Sequence, residues 1–364
     1  MRDFRKGGLN PNNFTDFMRT VRNLPPYQIR TPGHLLVFDK FQLSDISESD
    51  FSAIMQEIMK RGIKESKKCW HPEASSSTCD LDGSGNIKVS GAHSIQNNGI
   101  LSKIVDNGHV MGYALNKGEF DGEQIGRHHA SIFWGFCNKH DKTFEPIEIE
   151  PYKGTDEQHF LFAYRGFVVS AHKKLEVSNW MNYGEQSDND IIQNKKIFDV
   201  AIHNRNYSII ESEVFEFPKF YPIAAASSFY LDFDFECNPI PHSDERMEDV
   251  FITLLPTSNK TYFILSYFKQ DAHLYGNLGH QLRMRNDLES DVTMLIAAHT
   301  ENVFFNPLYY NTFIRQYEEV LEMIMFQSQM DFATINESDE LKIEFSFTPS
   351  NYLRNPYGIN FFGY

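Results

Sequence analysis

The chain has 364 residues, 41% hydrophobic and 23% charged, which is long enough for two or three domains with buried cores and too apolar for disorder to dominate. Its 34 basic and 49 acidic residues leave a formal charge of −15, which excludes broad electrostatic adhesion to a nucleic-acid backbone or an anionic membrane and confines any such contact to a local patch. The first residues lack the apolar stretch of a signal peptide, no run approaches the ~18 apolar residues of a membrane span, and four cysteines are too few for a disulfide scaffold; a soluble, cytoplasmic protein with no membrane partner is expected.

Residues 11–23 (PNNFTDFMRTVRN) predict a helix, because Asn12, Asn13 or Thr15 can cap it and Phe14, Phe17, Met18 and Val21 recur at i, i+3, i+4, i+7. Pro25-Pro26 ends it. A second helix is expected from Ser47 or Ser49, carried by Phe51, Ile54, Met55 and Ile58 and stopped by Gly62. The basic residues Lys60, Arg61, Lys64, Lys67 and Lys68 follow. From Cys69 to about residue 150 the chain is rich in Gly, Ser, Asn and His, with short strand-like pieces at 87–89 and 132–134, the composition of a small core that needs a staple.

Residues 156–174 predict a buried helix, and the polar segment 183–195 a linker or exposed loop. Strand patterns then occupy 207–217, 223–236, 249–256 and 261–268, an antiparallel meander whose last two strands are joined by a turn at 256–260. Helices are expected at 272–301 and at 307–329, the latter opened by Pro307 and striped by Tyr310, Phe313, Ile314, Tyr317, Val320, Leu321 and Ile324. A last strand is expected at 341–347. The fold class is α+β, with a helical segment at 1–68, a metal-stapled domain at 69–182 and an antiparallel sheet with helices at 197–364.

Chemistry concentrates in GFCNKHDKTF (135–144), where Cys-x2-His across a tight turn lets the Cys137 thiolate and the His140 imidazole approach one ion. The other half of the set comes from CWHPEASSSTC: Cys69 and Cys79, with His71 as a substitute for Cys79. Mixed sulfur and nitrogen donors select zinc. Cys237 lies apart and reads as a buried thiol. The DLDGSGN segment (80–86) looks like the start of a calcium loop, but its twelfth position is Gly91 where a bidentate Glu is required, so a glycine-rich hairpin turn is expected. Arg127, His128 and His129 offer phosphate contacts; Glu145, Glu148 or Glu157 a second carboxylate; and Lys60 to Lys68 with Lys139 and Lys142 a local nucleic-acid track.

Between the two halves, VSGAHSIQNNGILSKI (89–104) is a strand-like entry into His93 followed by a polar turn. With the Cys-x2-His knuckle, this order resembles the HNH nucleases, a treble-clef family. The resemblance implies a structural zinc, His93 as the general base that activates water, and Asp141 as a ligand of a catalytic cation such as Mg2+, at a place where the family usually has histidine. The family's asparagine falls among Asn97, Asn98 and Asn107.

The wider pattern KCW…CDLDG…GAHSIQNNGILSKI…GFCNKHDKTFEPIE…EQHFLFAYRGF also resembles a bacterial phage-defence family of zinc-finger nucleases. That resemblance implies an RNA-cleaving domain held idle until a phage protein or assembly binds. Residues 197–364, rich in Phe and Tyr, would then sense the trigger or assemble the chain into a homo-oligomer. The competing readings are a zinc-finger binding protein without catalysis and an HNH-type DNA endonuclease.

Overall fold

The computed structural model describes residues 60, 62–64, 66–116, 119–178, 184–243, 246–300, 302–321, 324, 333–335, 341–343, 355 and 357–363. The helices expected at 11–23 and from 47 onward lie outside these residues, save for the end of the second at 60–66. So do Arg61 and most of the segment beyond 321.

Helix and antiparallel sheet are mixed, as α+β requires. β1 (Val89–His93) pairs with β4 (Ile132–Cys137), and β10 (Ala333–Ile335) with β11 (Leu341–Ile343), as separate two-stranded ribbons. Among the described residues the central sheet has seven strands. They are β2 (His109–Asn116), β3 (Glu119–Gly126), β5 (Ile210–Phe217), β6 (Ile223–Phe229), β7 (Val250–Pro256), β8 (Thr261–Phe268) and β9 (Val303–Phe305), in the spatial order β3-β2-β9-β6-β7-β8-β5.

The C-terminal strands do not run as a simple meander. β6, β7 and β8 are sequential neighbours or joined by a tight hairpin, in which the Thr257 N–H bonds the Lys260 carbonyl at 2.8 Å, but β5 leaves β6 and lies on the far side of β8. Burial explains the order. All seven residues of β6 and of β7 are buried, so both must be flanked, whereas β5 carries Glu211, Glu213 and Glu216 and can sit at an edge. The expected continuation of β6 beyond Phe229 is a loop, in which Asp234 accepts the N–H groups of Glu236 and Asn238.

Successive residues of a strand face opposite sides, and the two sides here hold two cores. On one, Phe251, Leu255, Ile264 and Phe268 meet helix α2 (Asp156–Ser178) and the β1–β4 ribbon. On the other, Val250, Ile252, Leu254, Phe263 and Leu265 meet α4 (Leu288–His299), which Asp287 caps through the Ser290 N–H at 2.9 Å. α2 crosses β6 so closely that a Cβ on Gly166 would stand 2.9 Å from the Ser227 carbonyl oxygen.

The polar segment expected as a linker is part of α3 (Gly184–Asn204). Ile191, Asn194, Phe198 and Ala201 recur on its buried side, and Asn194 bonds the Met247 carbonyl at 2.8 Å, so tertiary contacts hold helical a stretch that reads as loop. The β2–β3 hairpin, from the metal-bearing half, joins the sheet through Met111 opposite Phe305, and the Ser94 hydroxyl donates to Asn302 Oδ1 at 3.0 Å. Residues 69–182 and 197–364 therefore share one sheet and one buried cluster. No helix among the described residues is long and apolar enough to cross a membrane.

Candidate functional site

Four side chains converge where the sequence predicts a metal. The Sγ atoms of Cys69, Cys79 and Cys137 each lie 3.4 Å from His140 Nδ1, and all four donor atoms fall within 4.8 Å of one another. A tetrahedral ion with bonds of about 2.3 Å to sulfur and about 2.0 Å to nitrogen has S···N edges of roughly 3.6 Å, so the set fits a zinc-sized ion. β4 delivers Cys137 at its end, where the chain turns into α1 (Asn138–Asp141) and swings His140 back over the sulfurs. The loop bearing Cys69 and Cys79 is tied down by the Trp70 N–H on the Gly135 carbonyl at 2.8 Å, with the indole fully buried.

Burial, and then the neighbouring sulfurs, push the Cys69 thiol up to about 12. A cation is what lets such a cluster ionise. His71 stands outside the set: its ring stacks on His140 at 4.2 Å, nearly parallel, and its Nδ1 accepts the Glu73 N–H at 3.2 Å. Cys79, not His71, therefore completes the four. Cys237 is half-buried in the second core and takes no part. The DLDGSGN segment is the expected turn, with Asp82 Oδ1 accepting the N–H groups of Ser84 and Asn86 and Leu81 bridged to Ile87.

β1 and β4 run from the metal cluster to a second site. At one end Val89 lies opposite Cys137; at the other His93 lies opposite Ile132. His93 is half-buried, and its Nδ1 is 2.9 Å from the Ala130 carbonyl oxygen and 3.3 Å from Ser131 Oγ. Since a carbonyl only accepts, Nδ1 carries the proton and Nε2 is left as a free base. Ser131 has a left-handed backbone (φ +59°), and its hydroxyl donates to the Ile95 carbonyl at 3.1 Å, so the turn facing His93 is held in a conformation that non-glycine residues seldom adopt.

Burial lowers the basicity of His93; the Ala130 carbonyl opposes that, Arg165 and His128 reinforce it, and Glu148 opposes it. Those neighbours define the site. His128 lies in the exposed turn between β3 and β4, with its Nδ1 3.1 Å from Asn97 Nδ2. Arg165, from the middle of α2, is buried over the Phe144 ring at 4.2 Å and pairs with Glu148 at 2.5 Å. Gln96 donates to the Glu148 carbonyl, closing the group from the His93 side.

Asp141 is half-buried, and burial raises its carboxyl while Arg165 draws it down. The structure does not gather it with His93 into a ligand set: among the described residues, the sets of three or more mutually close donors are the four-residue cluster and His71, Glu73 and His140. Arg127 is half-buried and His129 exposed beside His128, Glu145 is exposed, and Glu157 faces Tyr207 away from the site. Of the basic track, Lys60, Lys64, Lys139 and Lys142 are exposed, and Lys67 sits 3.5 Å above the Trp134 ring, between the two sites on β4.

Sequence reasoning missed Arg165. The signal was present, since FLFAYRGF sets one cation inside an otherwise apolar helical run, where a buried charge needs a partner. The chain matches no protein-family profile, no curated protein and no solved structure.

Proposed function

We propose that the chain is a nuclease with a structural zinc and with RNA as its favoured substrate, acting as an antiphage-defence effector. One observation supports the catalytic part above others: His93 ends β1 with Nδ1 committed to the Ala130 carbonyl and Nε2 available as a base. That is the tautomer a general base needs, held by backbone, at the end of the ribbon opposite the metal. The cluster of Cys69, Cys79, Cys137 and His140 saturates a tetrahedral ion and leaves no open coordination position, so the zinc positions the ribbon and takes no part in the chemistry.

Nucleic acid suits the surroundings despite the acidic chain. Arg127, His128 and His129 lie in the turn before β4, Lys67 stands over Trp134 in its middle, and Lys139 and Lys142 follow its end, so basic residues are strung along one strand of an otherwise acidic chain. The Mg2+ that the HNH resemblance implies does not find a fitting ligand set among the described residues: Glu148 is engaged by Arg165, Asp141 feels the same guanidinium, and neither is grouped with His93. No step is derived through that cation. Activation by a phage protein or assembly, and homo-oligomerisation through 197–364, rest on the family resemblance.

The test is direct. Purified protein incubated with RNA and with plasmid DNA, each with and without Mg2+ and with and without extract of phage-infected cells as the trigger, should cleave RNA, and His93→Ala should abolish cleavage while keeping about one zinc per chain. Cleavage of plasmid alone would favour an HNH-type DNA endonuclease. Loss of zinc from His93→Ala would make that histidine structural and leave a zinc-finger binding protein.

A further inference from the structure

Resting on the nuclease reading, we infer that His93 and His128 form an acid–base pair that cleaves RNA by attack of the substrate's own 2′-hydroxyl, with no divalent cation at the scissile phosphate. The geometry supplies the two roles separately. The Ala130 carbonyl, 2.9 Å from His93 Nδ1, fixes that ring as the proton acceptor through Nε2. His128 stands two residues earlier in the same turn and is exposed, with Asn97 against its Nδ1 at 3.1 Å.

Asn97 can hold either form of that ring. Its Oδ1 is buried without a hydrogen-bond partner, and turning the amide over brings this oxygen onto His128 Nδ1, where it accepts the proton of an imidazolium. The imidazolium then offers its Nε2–H to a leaving group. His93 thus has its acceptor state built in, and His128 has a partner for its donor state.

The donor inventory points to the nucleophile. Hydrolysis by water in this class of site relies on a bound cation, and here Glu148 is spent on Arg165 and no set of carboxylates surrounds His93 among the described residues. A 2′-hydroxyl needs no such help, because it is already held beside the phosphorus atom and gains the large effective concentration of an intramolecular reaction. In the step, His93 Nε2 takes the 2′-hydroxyl proton as the 2′-oxygen bonds to phosphorus. The bond from phosphorus to the 5′-oxygen breaks, and His128 Nε2–H protonates that oxygen. The products are a 2′,3′-cyclic phosphate and a 5′-hydroxyl, with no oxidant, metal or water consumed. Arg127, adjoining His128 in the chain and half-buried, is the cation this step would use against the charge on the phosphate oxygens.

The 364-residue, zinc-loaded chain, with and without extract of phage-infected cells, is tested on single-stranded RNA and its fully 2′-O-methylated counterpart, with and without Mg2+, and on a ribonucleoside 3′-(4-nitrophenyl) phosphate, whose leaving group needs no proton. The expected result is equal cleavage of RNA with and without Mg2+, cyclic phosphate ends, and no cleavage of the methylated strand. His128→Ala should lose about 100-fold or more on RNA, yet stay within about tenfold of the parent on the aryl ester, whereas His93→Ala should lose about 100-fold or more on both. Cleavage of the methylated strand, 5′-phosphate ends, a requirement for Mg2+, or equal losses for His128→Ala on both substrates would overturn the inference while leaving a nuclease. No cleavage of RNA or of plasmid DNA by the purified protein, together with no His93-dependent loss of RNA or DNA in phage-infected cells that express it, overturns the nuclease reading itself.

Discussion

The two ends of the β1–β4 ribbon use the same residue types to opposite ends. Beside Val89 and Cys137, one histidine and three cysteines turn inward until every donor faces the same point. Beside His93 and Ile132, the imidazoles are held singly, by a carbonyl and an amide, and each keeps one nitrogen uncommitted. Convergence with burial makes a staple; separation with partial exposure makes groups that can exchange protons. The lesson is that a histidine's role is read from what holds its second nitrogen.

The largest effect should come from breaking the metal end. Cys137→Ser, or chelation of the ion, should drop metal content well below one per chain and unfold the ribbon, since structural zinc contributes roughly 10 kcal/mol or more to such folds; elemental analysis and circular dichroism check this. If the ribbon kept its structure without metal, the staple would be dispensable and the comparison would fail. At the other end, His93→Ala should cost about 100-fold or more in cleavage with metal content unchanged, as followed on labelled RNA.

Two smaller changes ask how the ends are tied to the body. Arg165→Met leaves Glu148 without its buried partner and should destabilise by about 3 kcal/mol in urea melts, while also altering the surroundings of His93. Asn302→Leu removes the donor to the Ala226 carbonyl and one of two acceptors within reach of the Ser94 hydroxyl, the Ser131 carbonyl being the other, for a loss of roughly 1–3 kcal/mol.

The smallest test is of pH. His93 must be neutral to accept a proton, and burial together with Arg165 and His128 lowers its basicity below the ordinary 6.5, with the Ala130 carbonyl and Glu148 opposing. The acid limb of the rate profile assigned to His93 should therefore fall below pH 6.5. Arg165→Met, by removing the nearby cation, should move that limb upward; no movement would mean the guanidinium does not act on the site.

Much of this was legible in the residues. Cys137-x2-His140 marks a knuckle because the spacing alone brings two donors to one side of a turn, and the runs VFITLLP and TYFILSYF, short and split by a turn, read as paired strands. α2 followed from its apolar periodicity and α4 from the helical pattern around it. What sequence left open was decided by pairing across distance. Cys79 and His71 are equally able to bind zinc, and only the path of the loop, pinned by Trp70 on Gly135, brings the thiol in and leaves the imidazole stacked outside. β5 reads like any other member of a meander, yet its glutamates send it to the edge beside β8.

The same holds at the histidine site. The sequence by itself determined the donor types, the knuckle and His93 at a strand end, because these depend on neighbours a few residues apart. Only the tertiary structure decided that Arg165, from a distant helix, claims Glu148 and that a turn 37 residues along supplies the carbonyl for His93. Local spacing encodes local geometry, whereas the partner of a buried charge or of a ring nitrogen is chosen by how the layers pack.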